Sequence, residues 1–382
     1  MDDWGMVGRI SLILACYGGA NAYLGARMLQ WLTLMFPQID RGAFAAVMAV
    51  IAASTLLGLM PIPQPFKGIM AWIGSYWLGI FLYLLLFFLL ADVIARLGSL
   101  AGVIPSPAPW AIRFCLGWAA VLPTIGLVSY GLCRANHLEV AAYDLKIKEA
   151  AWPAPLKVVL VSDLHLGALR SEDRLERVVR SINGLEPDLV CLAGDIFNND
   201  YGAIRDPDRV MELLKGIKST HGAYACLGNH DGGRTLEQML GLLERSRVKV
   251  LNDEHEIVGG RLILIGRLDA SPIGGFGGRR RRDLAEILSR VEGLDLPVVV
   301  MDHSPGHIGE YDGRVDLVLS GHTHRGQVFP INLITRAIYD VDYGHYRKDA
   351  DSPQVVVTSG AGTWAMPMRV GTNNEVVEIR LR

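Results

Sequence analysis

The chain has 382 residues, of which 51% are hydrophobic and 20% charged, and its formal net charge is −2. That length accommodates two domains, the apolar content excludes a mainly disordered chain, and the near-neutral balance gives no electrostatic footprint for nucleic acid. Five cysteines scattered without metal-type spacing exclude a disulfide scaffold and leave the redox compartment open.

The charge is unevenly spread. Residues 1–134 hold seven basic and four acidic side chains of the totals of 37 and 39, which leaves 30 and 35 for residues 135–382. The first part has the composition of a membrane module and the second that of a soluble domain, so the expected division is 1–134 and 135–382. Uncharged stretches at residues 10–26, 43–60, 68–91 and 114–133 predict four spanning helices. Asn21, Arg27 and Gln30 interrupt the first, which could instead lie partly in the interface. Proline separates the spans at Pro37, at Pro61, Pro63 and Pro65, and at Pro105, Pro107 and Pro109. A small-residue pattern around Asn21 would suit a cleaved signal peptide, but Asp2 and Asp3 spoil the positive start such peptides need. Four spans place both chain ends on one side, where Arg9, Lys67 and Arg134 balance Arg41, Arg96 and Arg113 on the other, so loop charge does not set the orientation. Asp92 and Arg96, four residues apart, are expected to pair on one helix face, either as an interfacial anchor or as a functional ionisable pair.

From about residue 138, short runs rich in Val, Ile and Leu alternate with charged helical segments, which is an α/β pattern. The residues that end these runs carry the chemistry. Run 156–162 leads into Asp163-Leu164-His165, run 188–193 into Gly194-Asp195, and run 223–227 into Gly228-Asn229-His230-Asp231. Run 296–301 leads into Asp302-His303, and run 315–320 into Gly321-His322-Thr323-His324. Strand ends on one sheet edge are where open α/β folds build their sites. The oxygens and imidazoles of these five groups match the needs of two adjacent divalent ions, manganese, iron or zinc rather than calcium or copper. Alternation along an extended strand end is expected to aim Asp163 with His165, and His322 with His324, at one cavity. Gly194, Gly228 and Gly321 are expected to allow close approach around the ions.

In these residues the chain resembles the calcineurin-like metallophosphoesterase superfamily, whose ordered motifs D-x-H, G-D, G-N-H-D, an isolated His and G-H-x-H all occur over residues 138–382. With four spans ahead of Gly321-His322-Thr323-His324-Arg325-Gly326-Gln327, it looks like the branch of transmembrane proteins carrying such a domain. One departure is Asn198, where many members have Asp. The resemblance implies an α/β sandwich of two mixed sheets with flanking helices. It implies one ion on Asp163, His165, Asp195 and His324, and a second on Asp195, Asn229, His303 and His322, with Asp195 bridging. It further implies that His230 faces the phosphate as a proton donor, with Asp231 orienting its ring.

The expected function is therefore a multi-pass, membrane-anchored phosphoesterase with two divalent ions, manganese first, acting on a phosphodiester or pyrophosphate. Anchoring suggests an amphiphilic substrate at the bilayer. Some relatives of this branch resemble pyrophosphatases that cleave UDP-2,3-diacylglucosamine, which would put the catalytic domain on the cytoplasmic face. A membrane sensor with a phosphoesterase output and a non-catalytic metal-stabilised binding domain are the other classes. Oligomeric state is open. Arg325 and Arg369 are candidate substrate contacts, and Tyr343 and Trp364 share their loops. The loop of glycines at 274–278 runs into Arg279, Arg280, Arg281 and Arg282, either an anionic-lipid grip or a solvated loop before a helix near Asp283. Residues 329–338 are apolar for a segment beside a site, and either meet acyl chains or pack in the core. Cys191 and Cys226 are expected in the core.

Overall fold

The computed structural model describes residues 3–60, 62–63, 65–147, 154–167 and 171–382, with side chains from residue 8 onward, so Asp2, the Asp3 side chain and Pro61 lie outside the described residues. Two compact units are present: residues 1–131 with 365–367, and residues 132–364 with 368–382.

The first unit contains four helices, α1 (Asp3–Met35), α2 (Arg41–Leu57), α3 (Phe66–Leu100) and α4 (Trp110–Ala135). Asp40 opens α2 by accepting a hydrogen bond from the Ala43 amide at 2.7 Å. Small residues bring α2 and α3 together. A Cβ on Gly74 would lie 2.6 Å from the Thr55 backbone, and one on Gly58 would lie 2.7 Å from that of Ala71. Asn21 is buried and accepts from Trp77 Nε1 at 3.1 Å, which explains how α1 continues through that polar position.

The four expected spans reduce to two. Only α3 and α4, among the described residues, are long and apolar enough to cross a membrane. The 17 residues of α2 rise about 25 Å, against roughly 30 Å of hydrocarbon. In α1 the polar Asn21, Arg27 and Gln30 dilute an otherwise apolar sequence. The expected Asp92–Arg96 pair is also absent. Asp92 instead binds Arg27 of α1 at 2.5 Å and accepts from the Tyr23 hydroxyl at 2.8 Å.

The second unit is a sandwich of two mixed sheets. The first consists of β1 (Leu138–Leu145), β2 (Leu156–Val161), β3 (Leu189–Ala193), β4 (Ala223–Cys226) and β5 (Val248–Val250), together with the late strand β12 (Asn374–Leu381). The second consists of β6 (Glu254–Val258), β7 (Leu262–Gly266), β8 (Val298–Met301), β9 (Leu317–Ser320), β10 (Gly344–Tyr346) and β11 (Gln354–Val357). Strand order is β1-β12-β2-β3-β4-β5 in one and β10-β11-β9-β8-β7-β6 in the other. Strands β2 to β5 run parallel, as do β7, β8, β9 and β11, while β12 meets β2 antiparallel.

Strand alternation divides the apolar side chains between two layers. In β2, Val158 and Leu160 enter the core between the sheets with Leu264, Met301 and Leu319. Val159 and Val161 face the other way, onto α5 (Ser171–Gly184), α6 (Pro207–Lys215) and α7 (Leu236–Arg245) through Leu175, Val210 and Met239. On the far face of the second sheet, Ile263, Val300 and Val318 pack with Ile287 of α8 (Leu284–Ser289), which Asp283 caps. Both faces of each parallel core are covered, which is why these strands read as continuous apolar runs. Cys191 and Cys226 lie in the core between the sheets. The last helix, α9 (Ile331–Ile338), buries none of its residues.

Candidate metal centre

The carboxyl ends of β2, β3, β4, β8 and β9 bring two His/carboxylate clusters together: Asp163, His165 and His324, and Asp195, His303 and His322. In the first, His165 Nε2 lies 3.0 Å from His324 Nε2, and His324 Nε2 lies 3.3 Å from Asp163 Oδ1. In the second, His303 Nε2 is 3.1 Å from Asp195 Oδ2, and His322 Nδ1 is 2.9 Å from Asn229 Oδ1. Asp195 Oδ2 is also 3.8 Å from His165 Nε2, so this one carboxylate reaches both clusters.

Strand alternation is not what aims these side chains. Strand β2 stops at Val161 and β9 at Ser320, and beyond them the backbone turns left-handed at Asp163 (φ 57°), His165 (47°), His322 (69°) and His324 (49°), as it does at Asp195 (50°). Such a conformation costs an L-residue on the order of 1 kcal/mol or more. Hydrogen bonds hold it in place: the Asp163 amide donates to the Gly194 carbonyl and the His165 amide to that of Asp195, both at 3.0 Å. Two glycines allow the crowding. A Cβ on Gly228 would stand 2.3 Å from Asp195 Oδ1, and one on Gly321 would stand 2.0 Å from Ser162 Oγ and 2.4 Å from Asp163 Oδ2.

The donor set fits divalent cations. His303 Nδ1 lies 2.8 Å from the Ala193 carbonyl and so carries a ring proton, which aims the buried Nε2 at the Asp195 carboxylate 3.1 Å away; burial acts to lower the ring's pKa, but the Asp195 charge outweighs it and raises it well above the ordinary imidazole value. A positive charge is thus favoured between this ring nitrogen and the carboxylate, and a divalent cation can take the place of the proton there. Burial pushes His165 down to about 3 and His322 down to about 4, and it holds His324 well below the ordinary imidazole value. Neutral rings with free lone pairs are what metal binding needs. Burial acts to raise the Asp195 carboxyl, but the charge and hydrogen bond of the facing His303 ring outweigh it and hold that carboxyl well below the usual range.

His230 is nearly buried, its ring 5.2 Å from that of His165 and 5.6 Å from that of Trp364. Burial lowers its pKa, so the ring is neutral with one N–H to donate. Asp231 does not orient it. Its Oδ1 accepts from the Phe197 amide at 2.7 Å and its Oδ2 from the Gly228 amide at 2.8 Å, while His230 Nδ1 has no hydrogen-bond partner. A carboxylate so engaged fastens the β3 and β4 loops to each other.

Arg369 is likewise structural and cannot be a substrate contact. It is fully buried and donates to the carbonyls of His324 (2.9 Å), Ser359 (2.7 Å) and Gly362 (2.6 Å) and to Asn374 Oδ1 (2.8 Å). Arg325 is half-buried, its guanidinium 4.2 Å from the Tyr343 ring centre, and the Tyr343 hydroxyl donates to Glu375 at 2.9 Å. The four-arginine segment is not a free cationic patch. Arg281 makes a two-pronged pair with Asp302 at 3.0 and 2.8 Å and reaches Glu310, Arg279 binds Glu237, and Arg282 lies 4.0 Å from Glu286.

Some functional neighbours were invisible in the sequence. Tyr311 donates to Asp302 at 2.6 Å, beside His303 of the second cluster, and Arg174 donates to the Leu164 carbonyl at 2.9 Å, between Asp163 and His165 of the first. Their only signal was an arginine opening an otherwise amphipathic helix and an acid adjoining a motif histidine.

Two parallel-cored sheets, with two His/carboxylate clusters where their strands end and Asp195 within reach of both, have the layout of a dimetal centre. Comparison with known proteins agrees. The calcineurin-like phosphoesterase family matches residues 156–326. An uncharacterized metallophosphoesterase of Aquifex aeolicus is 30% identical over 67% of this chain and 96% of its own length. One from Helicobacter pylori (strain ATCC 700392 / 26695) is 30% identical over 66% of this chain, which spans 65% of that relative's length. A Danio rerio transmembrane protein with metallophosphoesterase domain is 30% identical over 80% of this chain and 72% of its own. The chain belongs to the calcineurin-like metallophosphoesterases.

Proposed function

We propose that this chain is a membrane-anchored phosphoesterase that hydrolyses a phosphodiester or pyrophosphate bond in an amphiphilic substrate, with UDP-2,3-diacylglucosamine as the leading candidate. The observation that carries the amphiphilic substrate is α9. It leaves the ligand segment His324–Gly326 within five residues and exposes Leu333, Ile334 and Ile338 by 54, 56 and 68%, next to an exposed Phe329. Such an apolar face beside a polar centre suits contact with acyl chains. Anchorage is supported by the length and apolarity of α3 and α4 and by the transmembrane relative from Danio rerio. The catalytic unit is placed on the cytoplasmic face, where nucleotide-linked precursors are made.

Asp163, His165, Asp195 and His324 would hold one ion, and Asp195, Asn229, His303 and His322 the other, with manganese first and iron or zinc next. When bound, the ions lower the pKa of water to give a nucleophile at neutral pH and neutralise phosphate charge. Asp195 stays ionised throughout. His230 donates its N–H to the leaving oxygen, and Arg325, carried next to His324, contacts the phosphate. Phosphorus NMR of a detergent-dispersed membrane extract, incubated with purified protein and manganese, tests the reading. A signal consumed by wild type but not by Asp195→Asn identifies the substrate class, and an extract left unchanged removes the amphiphilic assignment.

A further inference from the structure

The helical unit has a half-open cavity of about 540 Å³ between α1, α3, α4 and the α3–α4 loop. Arg27, Arg96, Arg113 and Asp92 line it, so it carries three cations and one anion. Arg27 is committed: it binds Asp92 and donates to Gln30 Oε1 at 2.9 Å. The side chains of Arg96 and Arg113 make no ion pair or hydrogen bond with any described residue. Both residues are exposed, so their guanidinium groups are open to an approaching anion. The remaining walls are apolar, with Trp31, Leu34, Phe88 and Leu116 contributing. The polar groups sit in the last turns of α3 and the first turns of α4, flanked by Ile104 and Ser106 of the loop, and so at one end of these helices. In a spanning arrangement that end lies at headgroup depth.

We infer that this cavity binds a phosphate-bearing anion, and that its occupant is the headgroup of an anionic phospholipid. Arg96 and Arg113 supply fork-shaped donors that match phosphate oxygens, and their two charges meet the two of a phosphomonoester. The apolar wall next to them takes the first methylenes of an acyl chain, which inorganic phosphate would leave empty. The inference does not depend on the substrate of the metal centre and assigns the helical unit a ligand of its own.

The test uses the full chain in neutral detergent, treated with EDTA so that no phosphate is held through bound metal. Binding of dioleoyl phosphatidic acid, dioleoyl phosphatidylcholine and inorganic phosphate is measured by native mass spectrometry and titration. Wild type is expected to bind phosphatidic acid about tenfold more tightly than phosphatidylcholine, and Arg96→Gln/Arg113→Gln to lose about tenfold for phosphatidic acid. Asp92→Asn removes the one carboxylate among the described lining residues, and is expected to tighten phosphatidic acid binding. Helical circular dichroism, and hydrolysis of a soluble phosphodiester after metal is restored, report folding of each variant. Inorganic phosphate bound as tightly as the lipid, with the same arginine dependence, would keep the anion site and overturn the lipid occupant. Phosphatidic acid binding that ignores the arginine substitutions overturns the site. Should the arginine variant fail to fold, unchanged or weaker binding in Asp92→Asn does the same.

Discussion

Arg369 grips His324 from behind: its Nη1 donates to the His324 carbonyl at 2.9 Å, and its Nη2 lies 3.3 Å from Nδ1 of the same ring. Burial pushes this guanidinium down to about 9, yet it stays charged at neutral pH because four other acceptors surround it. Its role is to hold a strained ligand loop in place.

Arg369→Met is therefore expected to destabilise the protein by about 3 kcal/mol and to lower bound metal, since four carbonyls lose a buried donor. Thermal unfolding and metal analysis measure this. A variant that melts with wild type but shows a raised KM would return Arg369 to the substrate site.

Asp231→Asn replaces an acceptor for two buried amides with a side chain that can serve only one of them. The expected loss is about 1–3 kcal/mol of stability, with hydrolysis per folded molecule reduced less than tenfold. Denaturant unfolding combined with active-site titration separates the two. A hundredfold fall in kcat at unchanged stability would mean that Asp231 does act on His230.

Gly321→Ala places a Cβ about where Ser162 Oγ and Asp163 Oδ2 already lie, 2.0 and 2.4 Å away. Asp163 must move, so bound metal is expected to fall from two ions per chain toward one, and activity with it, by about a hundredfold. Metal stoichiometry of purified protein decides this, and two retained ions would mean that the loop relaxes.

Removing metal with EDTA should abolish hydrolysis, lower the unfolding temperature and leave both reversible on adding manganese. A ligand at a hundred times its Kd contributes about 2.7 kcal/mol to the folded state. Asp195→Asn should resemble the stripped protein in both respects, because the lost carboxylate reaches both clusters. Calorimetry with and without metal checks the stability arm, and wild-type turnover in Asp195→Asn would sink the shared-carboxylate assignment.

The chemistry of the centre was legible in sequence because it resides in residue types at the ends of apolar runs. Asp163, His165, Asp195, Asn229, His303, His322 and His324 announce themselves by following strands, and those strands are visible because both sheet faces are buried. How they converge was not legible. Alternation along a strand was the wrong reason, since left-handed turns after β2 and β9 aim the side chains, and although Asp and His adopt that conformation more readily than most residues, their presence does not by itself mark such a turn. The span count misled for a related reason: uncharged length alone did not register how short α2 is, or how Asn21 and Arg27 find partners on other helices.

Sequence by itself determined the division into an apolar helical part and an α/β part and the His and carboxylate residues of the two clusters, all properties of local composition and order. Tertiary structure alone decided the pairings. Asp231 serves two amides, Arg369 serves carbonyls, Arg281 grips Asp302, and Asp92 takes Arg27 in place of Arg96, leaving Arg96 and Arg113 open to a cavity. The physical reason is that an ionic or hydrogen-bonding group has many acceptable partners along a chain. Which one it meets is fixed by distant segments that the packing of sheets and helices brings within about 3 Å.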